Sequence, residues 1–417
     1  MKKRIALTLA VAMCLSLLCS VALADKVTVN FFHRWPNEPK YSYINSLIEE
    51  FEAENPDIDI VADCVLNDSY KEKIRVLVST DDLPDVFFSW SGAFGENLTK
   101  SGRVLALDDI IAADTEWSSQ IVESQWAPFN YDGKQYGAPW SMDGKAFFYN
   151  VDVFEELGLE VPTTLSELYA VCETLKANGY EEPISAGFSA QWAVSHYLGT
   201  LCQRVVDPEV LANDYTGGGD FTDAGYIEAL NIFKELGQYM TADPCSVDHE
   251  YARNAFIMGD SPMCYMQLAE MRYLRNGGVN YGFFNFPAVE DGKGDPGQLT
   301  GAPEGMMISA TAEPEVQEAA IKFMKFVISK ENGYRLIAET GELSCVYGAW
   351  DETNSDEKQL EAIDLILAST EPAVWQDCAT DATIANAFMA GGQLLLTGDM
   401  TAEEVMASVQ AAAAALK

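Results

Sequence analysis

Between Val27 and Trp90 the chain alternates short apolar runs with longer amphipathic ones, and that order leaves few folds open. "VTVNFF" alternates at the period of a strand. Ile44, Leu47, Ile48 and Phe51 then recur at helical spacing, and Pro56 closes that helix. "IDIVADCVL" reads as a second strand, "YKEKIRVLVS" as a second helix and "DVFFSW" as a third strand cut off by Ser91-Gly92. Strand–helix–strand–helix–strand in this order implies a mostly parallel sheet covered by helices on both faces. The chain is therefore expected to be α/β.

The middle repeats the style with more helix. In "VPTTLSELYAVCETLKANG" Thr164 and Glu167 form a capping box, Leu165, Leu168, Cys172 and Leu175 share a face, and Gly179 stands at the exit. "VNYGFFNFPA" is a further strand. Pro314 suits a first helical turn, with Val316, Ala320, Phe323 and Val327 as the buried face behind it. Thr401 to Leu416 is Ala-rich and helical. "TGGG" at 216–219 and "DGKGDPG" at 291–297 read as surface loops.

The first 24 residues read as a signal peptide. Lys2, Lys3 and Arg4 precede an apolar stretch, and Ala22-Leu23-Ala24 is a small-x-small cleavage site before Asp25. The alternative is a lipid anchor on Cys19, but Leu18 is bulky where that processing wants a small residue. The formal charge of −38 excludes a nucleic-acid or anionic-lipid surface, which requires a basic face. Export permits disulfides. The cysteines beyond the signal segment are Cys64, Cys172, Cys202, Cys245, Cys264, Cys345 and Cys378. They include no CxxC spacing, and several sit in helical apolar patterns where they read as small buried hydrophobes.

Several segments resemble the extracellular solute-binding proteins of carbohydrate ABC importers, the group that includes maltose-binding protein. "YINSLIEEFEAENPDIDI" is similar to that family's first helix and its turn into the second strand. "LVSTDDLPDVFFSWSG" is similar to its entry to the third. "YDGKQYGAPWSMDGKAFFYNVDVFEELGLEVPTTLSEL" carries the most specific spacing of Gly, Pro and aromatic residues. "AAIKFMKFVISKENGYRLIAETGELSCV" and "LLLTGDMTAEEVMASV" resemble the late helices. The resemblance implies a two-lobed periplasmic-binding-protein fold with hinge crossovers and a central ligand cleft. The crossovers fall near Pro139–Asp143, Leu299–Gly305 and Leu343–Ala349. One lobe is then residues 25–140 plus 299–345, the other 141–298 plus 346–417. It also implies an exported monomer at the periplasmic or extracellular face of the membrane, no enzymatic activity, and no cofactor or metal. The expected partners are a sugar or short oligosaccharide and the permease subunits of an ABC importer.

Within such a lobe, ligands bind beyond the carboxyl ends of the parallel strands. His33, Arg34, Trp35 and Glu38 follow the first strand, and Trp90 and Ser91 end the third. Trp140 and Asp143 sit on the first crossover. Trp192, Gln267 and Glu304 complete the candidates by position. The resemblance adds Trp375 and Asp377, where the family often places an aromatic platform. A pyranose has an apolar C–H face that an indole covers, and a rim of hydroxyls that carboxylates, amides and guanidinium groups satisfy. Trp35 and Trp90 are expected to supply indole faces from the first lobe, and His33 to act as a loop hydrogen-bonder. Trp117, Trp126 and Trp350 read as packing residues.

The alternatives are an exported glycoside hydrolase, which needs two carboxylates across a sugar cleft, and a binder of a non-sugar solute. No G-x-S-x-G elbow or zinc motif supports an enzyme. Intact-mass measurement of the exported protein is expected to give a mature terminus at Asp25; a diacylated Cys19 terminus would overturn that.

Overall fold

The computed structural model describes residues 26–369 and 373–417. The signal-peptide and lipid-anchor readings concern residues outside the described ones.

The alternation at the start of the chain folds as its pattern implies. Strands β1 (Val27–His33), β2 (Ile58–Cys64) and β3 (Val86–Trp90) pair in parallel, with β1 between the other two. Consecutive residues point to opposite faces, and both faces are covered. Phe31 and Phe88 pack with Phe323 of helix Pro314–Val327, whereas Phe32 and Phe87 pack with Tyr70 of helix Asn67–Leu77. Helix Lys40–Glu54 buries Tyr43, Ile44, Leu47, Ile48 and Phe51 at spacings of three and four. It ends where the Asn55 backbone and side chain both donate to the Phe51 carbonyl, at 2.9 and 2.7 Å.

Three antiparallel strands from later in the chain complete this sheet. They are β4 (Ala138–Met142), β9 (Glu304–Ile308) and β10 (Leu343–Ser344), giving the order β10-β4-β9-β3-β1-β2. The second sheet has the order β8-β5-β7-β6. Its strands are β5 (Lys145–Asn150), β6 (Ile184–Ser185), β7 (Met263–Gln267) and β8 (Tyr281–Phe284). Helices Leu165–Ala177, Trp192–Val205, Ala224–Leu236, Ala382–Thr397 and Ala402–Ala414 cover it around one large core. The capping boxes Thr164/Glu167 and Thr401/Glu404 start two of these helices.

The chain passes between the sheets within two residues, Asp143 and Gly144, which separate β4 from β5. The return passage from β8 to β9 runs directly alongside. Lys145 N–H donates to Thr300 O at 2.7 Å, Gly301 N–H to Ala373 O at 2.9 Å, and Ala373 N–H to Leu299 O at 3.2 Å. Only glycine permits this approach. A methyl on Gly301 would lie 2.2 Å from Asp143 O, and one on Gly144 would lie 2.4 Å from Leu299 Cδ2.

The cysteines behave as small core residues. Cys172, Cys202, Cys264, Cys345 and Cys378 are buried, Cys64 and Cys245 are half-buried, and no disulfide joins any two of the described residues. Trp117 is buried with its Nε1 donating to Ile328 O at 2.9 Å, while Trp126 and Trp350 pack at the edge of the first core.

Trp35 and Trp140 belong to that core too, which corrects the expectation that they face a cleft. Trp35 is only 6 % exposed. Its ring meets Phe88 edge-on at 4.6 Å and Trp140 at 4.8 Å. The chain bends back after β1, with Trp35 N–H donating to His33 Nδ1 at 3.3 Å, so the indole returns under the sheet end. Trp140 lies in β4, where all five residues are buried, and alternation there cannot mark an outward face. Replacing Trp35 with Ala is expected to cost about 3–5 kcal/mol of unfolding free energy through the cavity it leaves. Urea denaturation of the unliganded variant measures it; an unchanged midpoint would mean the indole is not part of the core.

Candidate functional site

A cleft of about 750 Å³ opens beyond the strand ends, between the two sheets. The first sheet contributes the residues that follow its parallel strands: Arg34 and Lys40 after β1, Asn67, Ser69 and Lys71 after β2, and Trp90 at the end of β3. Glu304 opens β9, and Glu342 precedes β10. Opposite them stand Trp192 and His196 from the first turns of helix Trp192–Val205, and His249 and Arg253 from helix His249–Met258. The turn after β7 adds Gln267, Glu270, Arg272 and Tyr273. Trp375 directly precedes the short helix Gln376–Ala379, and Asp377 lies in its first turn.

Charged groups in the walls pair with one another. Arg34 grips Glu304 with both sides of its guanidinium and donates to Asn67 Oδ1 at 3.1 Å. The same guanidinium lies over Trp35 at 4.8 Å and over Trp90 at 4.9 Å, a cation held against two indoles. Lys40 meets Glu342 at 2.5 Å and Lys71 meets Asp377 at 2.7 Å. Glu270 takes His249 at 2.7 Å and Arg253 at 3.0 Å. Burial favours the neutral form of Glu270, but these two partners outweigh it and hold the carboxyl well below its usual range. Tyr273 lies between Arg253 and Arg272, whose guanidinium carbons are 3.8 and 4.6 Å from its ring.

Two groups at the cleft base titrate unusually. The Asp143 carboxylate accepts from Gly144 N–H at 2.8 Å, Ala269 N–H at 3.1 Å and Gln267 Nε2 at 3.2 Å. Burial nevertheless pushes it up to about 7, reinforced by the charges of Glu342 and Glu270. Lys145 is buried, with its ammonium 3.0 Å from His196 Nδ1. Burial pulls it down to about 8, against the attraction of Glu270. His196 is held well below its ordinary value by burial and by Lys145, so the neutral ring accepts from the ammonium. The same ring stacks on Trp375 at 4.3 Å.

Of the residues the sequence singled out, Arg34, Trp90, Asp143, Trp192, Gln267, Glu304, Trp375 and Asp377 come together in this cleft. His33, Trp35, Glu38, Ser91 and Trp140 do not line it. His33 is buried, held at about 4 by desolvation, and serves the Trp35 backbone. Glu38 is exposed and bonds the Ser42 hydroxyl at 2.7 Å. Ser91 is buried behind β3. Trp90 lines the cleft, but Arg34 and Lys71 already lie over its ring. Trp192 is only half-buried, and its neighbours His196 and His249 meet it at 5.0 and 5.1 Å. The sequence reading missed Asn67, Ser69 and Lys71, which the strand-end rule reaches when applied to β2. Lys40, His249, Arg253, Glu270, Arg272, Tyr273 and Glu342 carry no local signal.

The sequence profile of a family described as "Bacterial extracellular solute-binding protein" matches residues 35–334. The multiple sugar-binding protein of Streptococcus mutans is 27% identical, over 46% of this chain and 43% of its own length. The alpha-glucosides-binding periplasmic protein of Rhizobium meliloti is 23% identical, over 64% of this chain and 62% of its own. The chain thus spans about half the length of these curated relatives. Among solved structures, a chitin oligosaccharide binding protein superimposes with a TM-score of 0.85 at 21% identity, covering 94% of this chain and 99% of that one. The maltose/maltodextrin-binding domain from Bdellovibrio bacteriovorus, bound to maltotriose, gives 0.73 at 15% identity, over 94% and 99%. These likenesses give the chain the two-lobed periplasmic-binding-protein fold.

The raised Asp143 value has a signed consequence. The folded state favours the protonated carboxyl, so its contribution to stability is complete below the ordinary value of 3.8 and is lost as pH rises through about 7. The stability difference between Asp143→Asn and the parent is expected to change across that window and to level off above it. Urea titrations at graded pH measure it; a difference that stays flat from pH 4 to 8 would contradict the placement of Asp143.

Proposed function

Because the chain belongs to the bacterial extracellular solute-binding proteins, a family of binding proteins and not of enzymes, we propose that its cleft captures a sugar or short oligosaccharide. The observation that carries this is the composition of the walls. Seven carboxylates, five Lys or Arg side chains and two histidines surround Trp90, Trp192, Tyr273 and Trp375. The whole chain has 64 acidic against 26 basic residues, so the cleft is close to balanced where the rest of the protein is acidic. A balanced, hydrogen-bonding cleft suits an uncharged ligand with many hydroxyls. Each hydroxyl loses water on entry and would cost about 1–3 kcal/mol if left unpaired. Paired carboxylates and guanidinium groups offer fixed acceptors and donors at no further ordering cost.

Trp192 is the indole best placed to cover a pyranose face, being half-buried with charged and aromatic neighbours on its inner side. A volume of about 750 Å³ lies in the upper part of the range for small-molecule sites, which favours more than one ring. The names of the Streptococcus mutans and Rhizobium meliloti relatives point the same way.

The mechanism is capture, closure and delivery. Lobes of residues 25–140 plus 299–345 and 141–298 plus 346–417 would turn about the passages at Asp143–Lys145 and Leu299–Gly301. The solute contacts both walls only in the closed form, and that differential affinity drives closure. An exported monomer would then present the closed form to the permease of an ABC importer. No catalytic group and no metal is required.

Thermal-shift and calorimetric titration against a carbohydrate panel tests this. A cognate sugar at about 100 times its dissociation constant is expected to add about 2.7 kcal/mol of stability, with or without a chelator. Trp192→Ala is expected to weaken binding roughly ten- to a hundredfold with little change in unliganded melting, through lost stacking and apolar burial. Loss of binding on chelation, or a panel without a single binder, would overturn the reading.

A further inference from the structure

We propose that Lys71 occupies an aromatic subsite of the cleft: tethered to Asp377, its ammonium sits over Trp90 where a further sugar ring would stack, and so ends the ligand on that side. This rests on the carbohydrate reading above and specifies how long a ligand the site takes.

Trp90 points into the cleft, yet Lys71 Nζ lies 4.6 Å from its ring centre. Phe94 and Tyr70 meet the same indole edge-on at 5.3 and 6.0 Å, which fixes its orientation. The ammonium is anchored at its other side. Asp377 Oδ2 accepts from it at 2.7 Å, and Asp377 Oδ1 accepts from Ser195 Oγ at 3.2 Å. Side-chain exposure is 16 % for Lys71 and 8 % for Asp377, so the pair is packed into the wall and does not hang in solvent.

This pair differs from the other charge pairs of the cleft in what it joins. Arg34 and Glu304 belong to the first sheet, and Lys40 and Glu342 lie beside it. His249, Arg253 and Glu270 share the opposite wall. Lys71, on the helix that follows β2, reaches instead to the short helix Gln376–Ala379. That helix packs so closely on helix Trp192–Val205 that a methyl on Gly199 would lie 2.9 Å from Gln376 Cβ. Trp375 and Cys378 on either side of Asp377 also pack with Trp90 and Phe94, so the pair crosses the cleft at the side where the two walls meet.

Leu66 and Ser69 line the same cleft, and Leu66 is an exposed apolar residue. Arg34 lies over the same indole at 4.9 Å, so a ring and the ammonium compete for the part of its face that the guanidinium leaves.

The test is calorimetric titration of linear gluco-, xylo- and chito-oligosaccharides of increasing length, with unliganded melting curves for each protein. In the parent, affinity is expected to stop rising at a fixed length. In Lys71→Ala/Asp377→Asn, which removes the charge pair as a unit, the rise is expected to continue for one more ring. The ratio of long-chain to short-chain affinity should grow roughly three- to tenfold. Lys71→Gln keeps a donor for Asp377 while removing the charge over Trp90, and the ratio is expected to rise there also, which guards against poor folding of the double variant. An unchanged ratio in both, or a loss of affinity by the same factor at every length, overturns the proposal and leaves the pair a plain structural tie. If no oligosaccharide binds the parent or either variant, the carbohydrate reading itself fails, and this inference with it.

Discussion

The contact between Asp143-Gly144 and Leu299–Gly301 is the constraint on which the rest of the arrangement depends. Two passages between the sheets lie so close that neither glycine could carry a side chain without displacing backbone or Leu299. Their hydrogen bonds, with Ala373 added on the far side, make a narrow strap that holds the two sheets edge to edge. A narrow strap leaves the strand ends of both sheets facing one space. It also leaves few dihedrals to absorb a relative rotation of the walls, which is how hinges of this kind work. The buried network at Thr300 stiffens the strap on one side: its hydroxyl lies 2.6 Å from Thr200 Oγ1 and donates to Gln203 Oε1 at 2.8 Å. In the proposed closure, bending would fall on the residues between this network and β4.

The strap also explains the titration behaviour at the cleft base. Asp143 belongs to the strap and Lys145 begins the strand directly after it, so neither can reach solvent as a long surface side chain would. Asp143 receives three hydrogen bonds, which favour its charged form, and is still pushed up, because burial and two neighbouring carboxylates act together. Lys145 is buried beside a neutral imidazole, and burial pulls it down against the attraction of Glu270. One carboxyl held partly neutral and one amine held partly uncharged reduce the cost of placing both beneath the proposed uncharged ligand.

Much of the fold was legible because its first part obeys simple periods. Alternation in β1 and the three-four spacing of Ile44, Leu47, Ile48 and Phe51 are local signals, and so are the capping boxes at Thr164 and Thr401. The antiparallel strands β4, β9 and β10 were not legible, since they join the first sheet from far along the chain and are nearly all buried, without alternation. The candidate site divides in the same way. Strand ends could be located, so Arg34 and Trp90 could be named, while the resemblance placed Asp143 on the first crossover. Side-chain direction after a strand end depends on the bend that follows, and Trp35 turned inward while its neighbour Arg34 turned outward. The pairing of Arg34 with Glu304, residues 270 apart, is set by the strand order and by nothing in either segment alone.

Pairing within the walls bears on what can drive closure. In Arg34–Glu304, Lys40–Glu342 and the Glu270 cluster both partners lie on one wall, so the proposed closure would leave each intact. They add nothing to the preference for either form. The polar links that do run between the walls are few among the described residues lining the cleft: Lys71 to Asp377, and Arg272 donating to Thr340 O at 3.0 Å. A packed pair gains little net once the cost of taking both charges out of water is counted. In the proposed closure, the empty protein would have only a small electrostatic reason to stay shut, and the ligand would supply the difference. It can do so because donors and acceptors already oriented by their partners need no reordering when a hydroxyl arrives between them. The same self-pairing that makes the walls nearly neutral would make the proposed closed form depend on what lies between them.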